Sequence, residues 1–186
     1  MKSLITLMAL MSSVFAVPLA AQTPLELTPE EKGLLEAAYL GKLDEVERLV
    51  SDGTAVDATD PEHRTPLMFA AFNGHTAVVR FLEEQGAEVD TRDINGRTAL
   101  MYASSGPYLD TVALLLSRGA DVNVQGTLEG FTALMTAAAE GQVEVVRHLL
   151  DNGADRSLED KDGDTALSFA RQHGHVDVVE LLESER

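Results

Sequence analysis

Residues 65–87 read TPLMFAAFNGHTAVVRFLEEQGA, and they contain the signals that begin, end and pair two helices. Thr65 can cap a helix that begins at Pro66, because proline has no N–H that the first turn would leave unpaired. Gly74 can end that helix in a left-handed conformation that most side chains resist. A second helix follows, since its apolar residues share one face: Val78, Val79 and Leu82. The stretch therefore predicts a helix-turn-helix unit.

The same unit recurs along the chain with a period of 33 or 34 residues. The marker Thr-Pro-Leu or Thr-Ala-Leu begins at Thr65, Thr98, Thr132 and Thr165. A second marker, Gly-Ala or Gly-Thr, begins at Gly53, Gly86, Gly119 and Gly153. Two independent markers that keep one period indicate a repeat array.

The repeating pattern resembles the ankyrin repeat, a unit of about 33 residues whose first helix opens with Thr-Pro-Leu-His-x-Ala. The resemblance covers roughly residues 28–186 and implies an all-α solenoid of about five helix-turn-helix repeats joined by β-hairpin-like loops. We expect the repeats near residues 28–58, 59–91, 92–125, 126–158 and 159–186. Two departures stand out: residues 104–108 replace the usual Gly-His turn, and one extra residue lies near residues 125–126.

Both ends of the array differ from its middle. Thr28 and Glu31 have the spacing of a capping box, so the first repeat should begin directly with a helix. At the other end, the polar residues 171–173 stand where inner repeats have Ala-Phe-Asn at residues 71–73 and Ala-Ala-Glu at residues 138–140. A polar outer face is typical of the last repeat of a solenoid, which needs one for solubility.

Residues 1–21 are predicted to be a cleaved secretory signal peptide, followed by a short linker at residues 22–27. Lys2 precedes an apolar run over residues 4–15 and then small residues, the order that such signals show. The run is too short to cross a bilayer, so no stable membrane anchor is expected. Because the chain has no cysteine, and small animal extracellular domains are usually rich in disulfides, the bacterial periplasm is the expected compartment.

Composition narrows the classes of partner. Among 186 residues, 14 are Lys or Arg and 31 are Asp or Glu, which gives a formal charge of −17. A surface this acidic repels phosphates, so we do not expect the chain to bind nucleic acid. A basic partner protein stays open beside the simpler interpretation that the charge maintains solubility.

No set of residues combines a nucleophile, a base and an orienting group, so we expect no catalytic residue, metal or cofactor. His75 and His175 occupy the inter-helix position of the resemblance, which implies a structural role. Residues 160–164 resemble half of a calcium loop but lack its later glutamate, which favours a hairpin turn. The methionines that replace the motif's histidine are expected to pack between repeats: Met68, Met101 and Met135.

The resemblance implies that the chain binds a partner protein, with the hairpin tips and the exposed sides of the first helices forming one concave groove. Carried over position by position, the predicted binding residues are Arg64, Phe72, Asn73, Ile94, Asn95, Arg97, Tyr102, Ser105, Leu128, Glu129, Phe131 and Glu140. Aromatic anchors beside arginine are typical of interaction hot spots. The alternative is that the apolar tip residues pack on adjacent hairpins. A monomer is expected.

For function, the sequence predicts a non-enzymatic module of the periplasm. It resembles small exported bacterial ankyrin-repeat proteins, some of which accompany periplasmic catalase and peroxide resistance, so an accessory role for such an enzyme is the first hypothesis. The alternative is an immunity protein that neutralises a toxin delivered into the periplasm, for which the acidic surface would suit a basic target.

Export is directly testable from the mass of the protein isolated from cells. Cleavage after Ala21 should leave a chain that begins at Gln22, and cleavage after Ala16 one that begins at Val17. A product that retains Met1 and fractionates with the cytoplasm would contradict the predicted signal peptide.

Overall fold

The computed structural model describes residues 27–184, so the predicted signal peptide and all of the linker except its last residue lie outside them. One helix pair lies in each of the five predicted repeats. The helices of the described part are α1 (Pro29–Tyr39), α2 (Leu43–Ser51), α3 (Pro66–Phe72), α4 (Thr76–Glu84), α5 (Ala99–Ala103), α6 (Leu109–Ser117), α7 (Ala133–Ala139), α8 (Val143–Asp151), α9 (Ala166–His173) and α10 (Val176–Ser184). Because no strand forms within residues 27–184, this part of the chain is all-α, and the predicted solenoid is confirmed.

Threonine caps begin most of the first helices, as the sequence predicts. Thr28 and Glu31 form the expected capping box, each side chain accepting the backbone N–H of the other residue. The side-chain oxygens of Thr65, Thr132 and Thr165 each accept an N–H three residues on. Thr98 departs from this pattern: its hydroxyl is buried without a partner, and α5, which it precedes, has only 5 residues. Repeat 3 is therefore the least regular of the array.

The core runs unbroken through the stacked repeats. Leucines of the first helices and valines of the second helices meet in it, and Leu67, Leu100, Leu134, Val79 and Val146 are almost fully buried. The three methionines predicted to pack between repeats are buried in this same core. Each repeat thus covers its apolar stripe with its neighbour, as solenoid stability requires.

Glycine turns between the two helices bring successive repeats into contact. Gly141 has a left-handed φ of +70°, and a Cβ there would lie 2.5 Å from the ring of His175 in the next repeat. The Nε2 atom of His175 lies 2.9 Å from the Ala139 carbonyl oxygen. His75 makes the same contacts with Gly41 and with the Tyr39 carbonyl oxygen. These contacts give both histidines the structural role that the sequence predicts.

The end of the array is polar, as its sequence indicates. Arg171 forms an ion pair with Glu183, and Gln172 and His173 are exposed.

No group of three or more possible metal-ligating side chains of His, Cys, Asp or Glu lies among residues 27–184. Over the same range, no helix has the length and apolar character that crossing a bilayer requires.

A buried carboxylate interrupts the apolar face of α4. Glu83 stands three residues before Gly86, where the corresponding residues of repeats 1, 3 and 4 are Val50, Leu116 and Leu150. Its side chain is 3% exposed, and its closest basic atom is Nε of Arg118, at 3.5 Å. Burial raises the pKa of Glu83 to about 7, against the attraction of Arg118 and Arg80, and the charge of Glu84 adds to the rise.

Replacing Glu83 with leucine should stabilise the protein more at pH 8 than at pH 5. The folded state holds the Glu83 proton more tightly than the unfolded chain does, so the carboxyl group costs stability as the pH rises from about 4.5 to about 7. The difference between the two gains should be on the order of 2 kcal/mol, read from urea unfolding at both pH values. The exposed neighbour is the control: Glu84→Leu should show a much smaller difference, because it acts only by removing one charge from beside Glu83. Equal gains for Glu83→Leu at both pH values would contradict the assigned pKa.

Candidate protein-binding groove

Aspartates build the hairpin tips of repeats 2, 3 and 5, buried in repeats 2 and 3 and half-buried in repeat 5. In repeat 3, the Asp93 Oδ1 atom accepts the backbone N–H groups of Asn95 and Arg97, each at 2.8 Å. Asp60 and Asp160 accept the corresponding pairs of N–H groups in repeats 2 and 5. This is the turn chemistry in which an aspartate side chain bonds the backbone that follows it. The tip at residues 160–164 is accordingly a hairpin turn, as predicted.

In repeats 2 and 3, an arginine links the tip to the first helix. The guanidinium groups of Arg64 and Arg97 lie 4.9 Å from the ring centroids of Phe69 and Tyr102, respectively. Each arginine Nε also donates to the tip aspartate, at 2.7 Å for Arg64 and 2.9 Å for Arg97. Two contacts per arginine, one ionic and one with an aromatic face, hold these side chains in place.

Tyr102 ties the helix to the same aspartate, since its hydroxyl donates to Asp93 Oδ2 at 2.8 Å. Burial and this hydrogen bond raise the pKa of Tyr102 to about 12. Burial alone would raise the pKa of Asp93, but the backbone N–H of Arg97, the Tyr102 hydroxyl and the Arg97 guanidinium together lower it. Asp93 therefore stays ionised and Tyr102 protonated across the physiological range, so this wall of the groove keeps one hydrogen-bonding state.

Repeat 4 is built differently, at the extra residue that the sequence shows. Gly126 replaces the tip aspartate, and its N–H donates to the Phe131 carbonyl oxygen at 2.9 Å. The Gln125 side chain supports the loop instead, donating to the carbonyl oxygens of Gly130 and Glu159 at 3.1 and 2.9 Å. Phe131 stands where repeats 2 and 3 have arginine, and its ring contacts Phe169 of the next repeat, with centroids 5.2 Å apart. The tip of repeat 4 therefore has neither the aspartate nor the arginine of its neighbours.

These features enclose a groove of about 280 Å³ between the tips and first helices of repeats 2 to 4. We call this space the central groove. Eight predicted binding residues line it: Phe72, Asn95, Arg97, Tyr102, Ser105, Leu128, Glu129 and Phe131. Sequence reasoning missed three more lining residues, Met101, Gly126 and Thr136. The short side chains of Gly126 and Thr136, in positions where other repeats have larger ones, were the available signal.

The other four predicted residues lie outside the central groove. Arg64 lines a smaller adjoining space of about 120 Å³ that shares Phe72 and Tyr102 with it. The Asn73 side chain donates to the Tyr39 carbonyl oxygen at 3.0 Å, so it joins repeats 1 and 2. Ile94 is exposed on its tip, and Glu140 is exposed at the end of α7.

The apolar residues of the predicted binding surface divide between packing and exposure. Phe131 is 37% exposed and contacts Phe169, while Phe72 is 43% exposed and meets Tyr102 edge to face, with centroids 6.0 Å apart. Ile94 and Leu128 are more than half exposed. Neighbouring tips are joined through the backbone, because the Thr127 N–H donates to the Asn95 carbonyl oxygen at 2.8 Å. Packing on the first helix of repeat 5 therefore covers part of the Phe131 surface, whereas Leu128 is left uncovered.

Comparison with known proteins agrees with this architecture. The family model for ankyrin repeats, which spans three copies of the repeat, matches residues 34–126 and again residues 108–185. No curated protein matches the sequence. Proteins of the matched family are generally non-enzymatic modules that mediate protein interactions. Since the matches span nearly all of the described helix pairs, the chain belongs to the ankyrin-repeat family.

Proposed function

We propose that this chain is an exported, non-enzymatic protein of the periplasm that binds another protein through the central groove. The observation that carries the proposal is the exposed apolar surface of the groove, formed by Phe72, Leu128 and Phe131 between fixed polar walls. Apolar side chains that stay exposed to water do not stabilise the protein, whereas an interface with a partner would bury them.

The walls of the groove support binding because they are ordered in advance. Arg97 is held by Asp93 and by the Tyr102 ring, so it loses little conformational entropy when a partner arrives. Ordering a long side chain at an interface otherwise costs about 0.5–1.5 kcal/mol. The contacts that shape the groove thus also reduce the conformational entropy that its side chains lose on binding.

For the partner, we propose a periplasmic catalase or another peroxide-stress enzyme, for which this chain would be an accessory protein. The support is the resemblance to small exported ankyrin-repeat proteins. An immunity protein that neutralises a toxin delivered into the periplasm is the second candidate, and the formal charge of −17 favours it because a basic toxin would be attracted. The identity of the captured partner distinguishes these two roles.

Loss of the groove anchors should abolish capture of the partner from a periplasmic extract. The double variant Phe72→Ala and Phe131→Ala should lose on the order of 2 kcal/mol per anchor if both are hot spots, enough to remove the partner from the captured fraction. Mass spectrometry of the captured proteins is the measurement. Val176→Ala is the matched control, because Val176 is 63% exposed but lies at the inter-helix turn of repeat 5, outside the central groove.

Stability must be measured beside capture, because Phe131 also packs on Phe169. Phe131→Ala should cost about 0.5–1.5 kcal/mol from the lost ring pair. The 1% exposed Leu134 is the buried reference, and Leu134→Ala should cost about 2–5 kcal/mol. If the double variant stays folded and still captures the same protein, the partner-binding surface lies elsewhere.

A further inference from the structure

The central groove exists because one aromatic ring is absent from a regular series. Four residues after the threonine that precedes each first helix of repeats 2 to 5 stand Phe69, Tyr102, Thr136 and Phe169. The three aromatic members are half-buried on the inner side of the first helices, and Thr136 occupies the same half-buried position in repeat 4. The space over Thr136 is part of the groove.

The residues around this space do not fill it from within. In repeats 2 and 3 an arginine covers the ring at this position, but in repeat 4 Phe131 replaces the arginine and contacts Phe169. Tyr102 and Phe131 both line the open space, together with Thr136. An apolar cavity of about 150 Å³ accommodates benzene, so a groove of about 280 Å³ has room for one aromatic side chain.

Ring geometry favours an aromatic occupant over an aliphatic one. The rings near the groove already pair edge to face, as in Phe72 with Tyr102 at an interplanar angle of 88°. A ring placed over Thr136 could meet Tyr102 and Phe131 in this way, and such pairs contribute beyond the area that they bury.

The charges of the groove favour a positively charged side chain beside that ring. Arg97 is neutralised by Asp93, so it offers no free positive charge. Glu129 is exposed on the rim, and no basic side chain among residues 27–184 forms an ion pair with its carboxylate. The nearby Lys161 directs its ammonium group to the Thr127 carbonyl oxygen instead, at 2.7 Å. The formal charge of −17 adds a long-range attraction for a basic segment.

We propose that the space over Thr136 receives an aromatic side chain from the partner protein, and that a lysine or arginine next to that side chain pairs with Glu129. The inference rests on the proposed function, because it names the chemistry of the partner segment for the same groove. The partner's ring completes the interrupted series, with Tyr102 on one side and Phe131 on the other.

Three fluorescein-labelled peptides test both parts of the inference by fluorescence anisotropy. They share the frame Gly-Ser-X-Z-X-Ser-Gly and carry Arg-Phe-Arg, Arg-Ala-Arg or Glu-Phe-Glu at the centre. The Arg-Phe-Arg peptide should bind the full mature protein roughly tenfold more tightly than either of the others. If Arg-Ala-Arg binds equally tightly, charge attraction alone explains the binding. If Glu-Phe-Glu binds equally tightly, no positively charged residue is needed beside the ring. Either result overturns the inference, as does a failure of Arg-Phe-Arg to bind.

Filling the space from within should compete with the peptide. Thr136→Phe introduces the residue type that repeats 2 and 5 have at this position, and it should weaken Arg-Phe-Arg binding roughly tenfold while the protein stays folded. Thr136→Ser keeps the small side chain and its hydroxyl, so it should bind as the original protein does. Unchanged binding by a folded Thr136→Phe variant would place the peptide elsewhere.

Glu129→Gln keeps the test decisive even if Thr136→Phe does not fold. This variant should reduce the preference for Arg-Phe-Arg over Glu-Phe-Glu, since only the long-range attraction of the acidic protein remains, and it should retain the preference for Arg-Phe-Arg over Arg-Ala-Arg. An unchanged charge preference would overturn the pairing with Glu129. Two further results would show that another molecule occupies the groove and would overturn the inference. Equally tight binding of free N-acetylphenylalaninamide would indicate a small aromatic ligand, and self-association of the protein that the peptide disrupts would indicate a second copy of this chain. If capture depends on Phe72 and Phe131 but the three peptides bind equally, the proposed function stands and this inference is wrong.

Discussion

Successive first helices approach one another closely, and this contact determines both the core and the groove. Small side chains allow it, because each first helix has an almost fully buried alanine at the same position of the repeat: Ala37, Ala70, Ala103, Ala137 and Ala170. A larger side chain there would separate the repeats and open the core, since protein interiors leave no room for an added methylene without strain. At this spacing, the His175 ring reaches the glycine turn of repeat 4, and the backbone of one hairpin tip reaches the next. The continuous core and the shape of the groove are both consequences of this contact.

The same side chains stabilise the repeats and shape the groove. Asp93 organises the tip through two backbone N–H groups, and it also holds Arg97 and Tyr102, which face the groove. Tyr102 contacts the tip at its hydroxyl and Phe72 at its ring. A substitution in this network would therefore change folding and binding together. Leu128 and Glu129 are exceptions, because their exposed side chains extend from the tip of repeat 4 and can change with little effect on the core.

The sequence predicted the fold well because the determinants of the fold are local and repeated. Thr65 as a cap, Gly74 as a turn and the stripe of valines each act over a few residues, and the period shows where they recur. The sequence also indicated most residues that line the central groove, since tips and exposed first-helix faces follow from the repeat. It did not reveal the groove itself, which results from side chains that are small or displaced, Thr136 and Gly126 above all. The burial of Glu83 was missed for a related reason: a charged residue in an amphipathic pattern is read as exposed, and only packing against α6 shows otherwise.

Repeat 3 has the shortest first helix of the described array, and the contact of α5 with α7 is smaller than the other contacts between neighbouring first helices. In a linear array, free energy is divided between the units and the interfaces that join them, so every connection between neighbours contributes to cooperative unfolding. Between repeats 3 and 4 the tips supply part of that connection, because the N–H groups of Thr127 and Leu128 both donate to the Asn95 carbonyl oxygen. The groove spans this junction, since Tyr102 belongs to repeat 3 and Phe131 to repeat 4. A ligand that contacts both repeats would stabilise their interface, and part of its binding energy would make the unfolding of the array more cooperative.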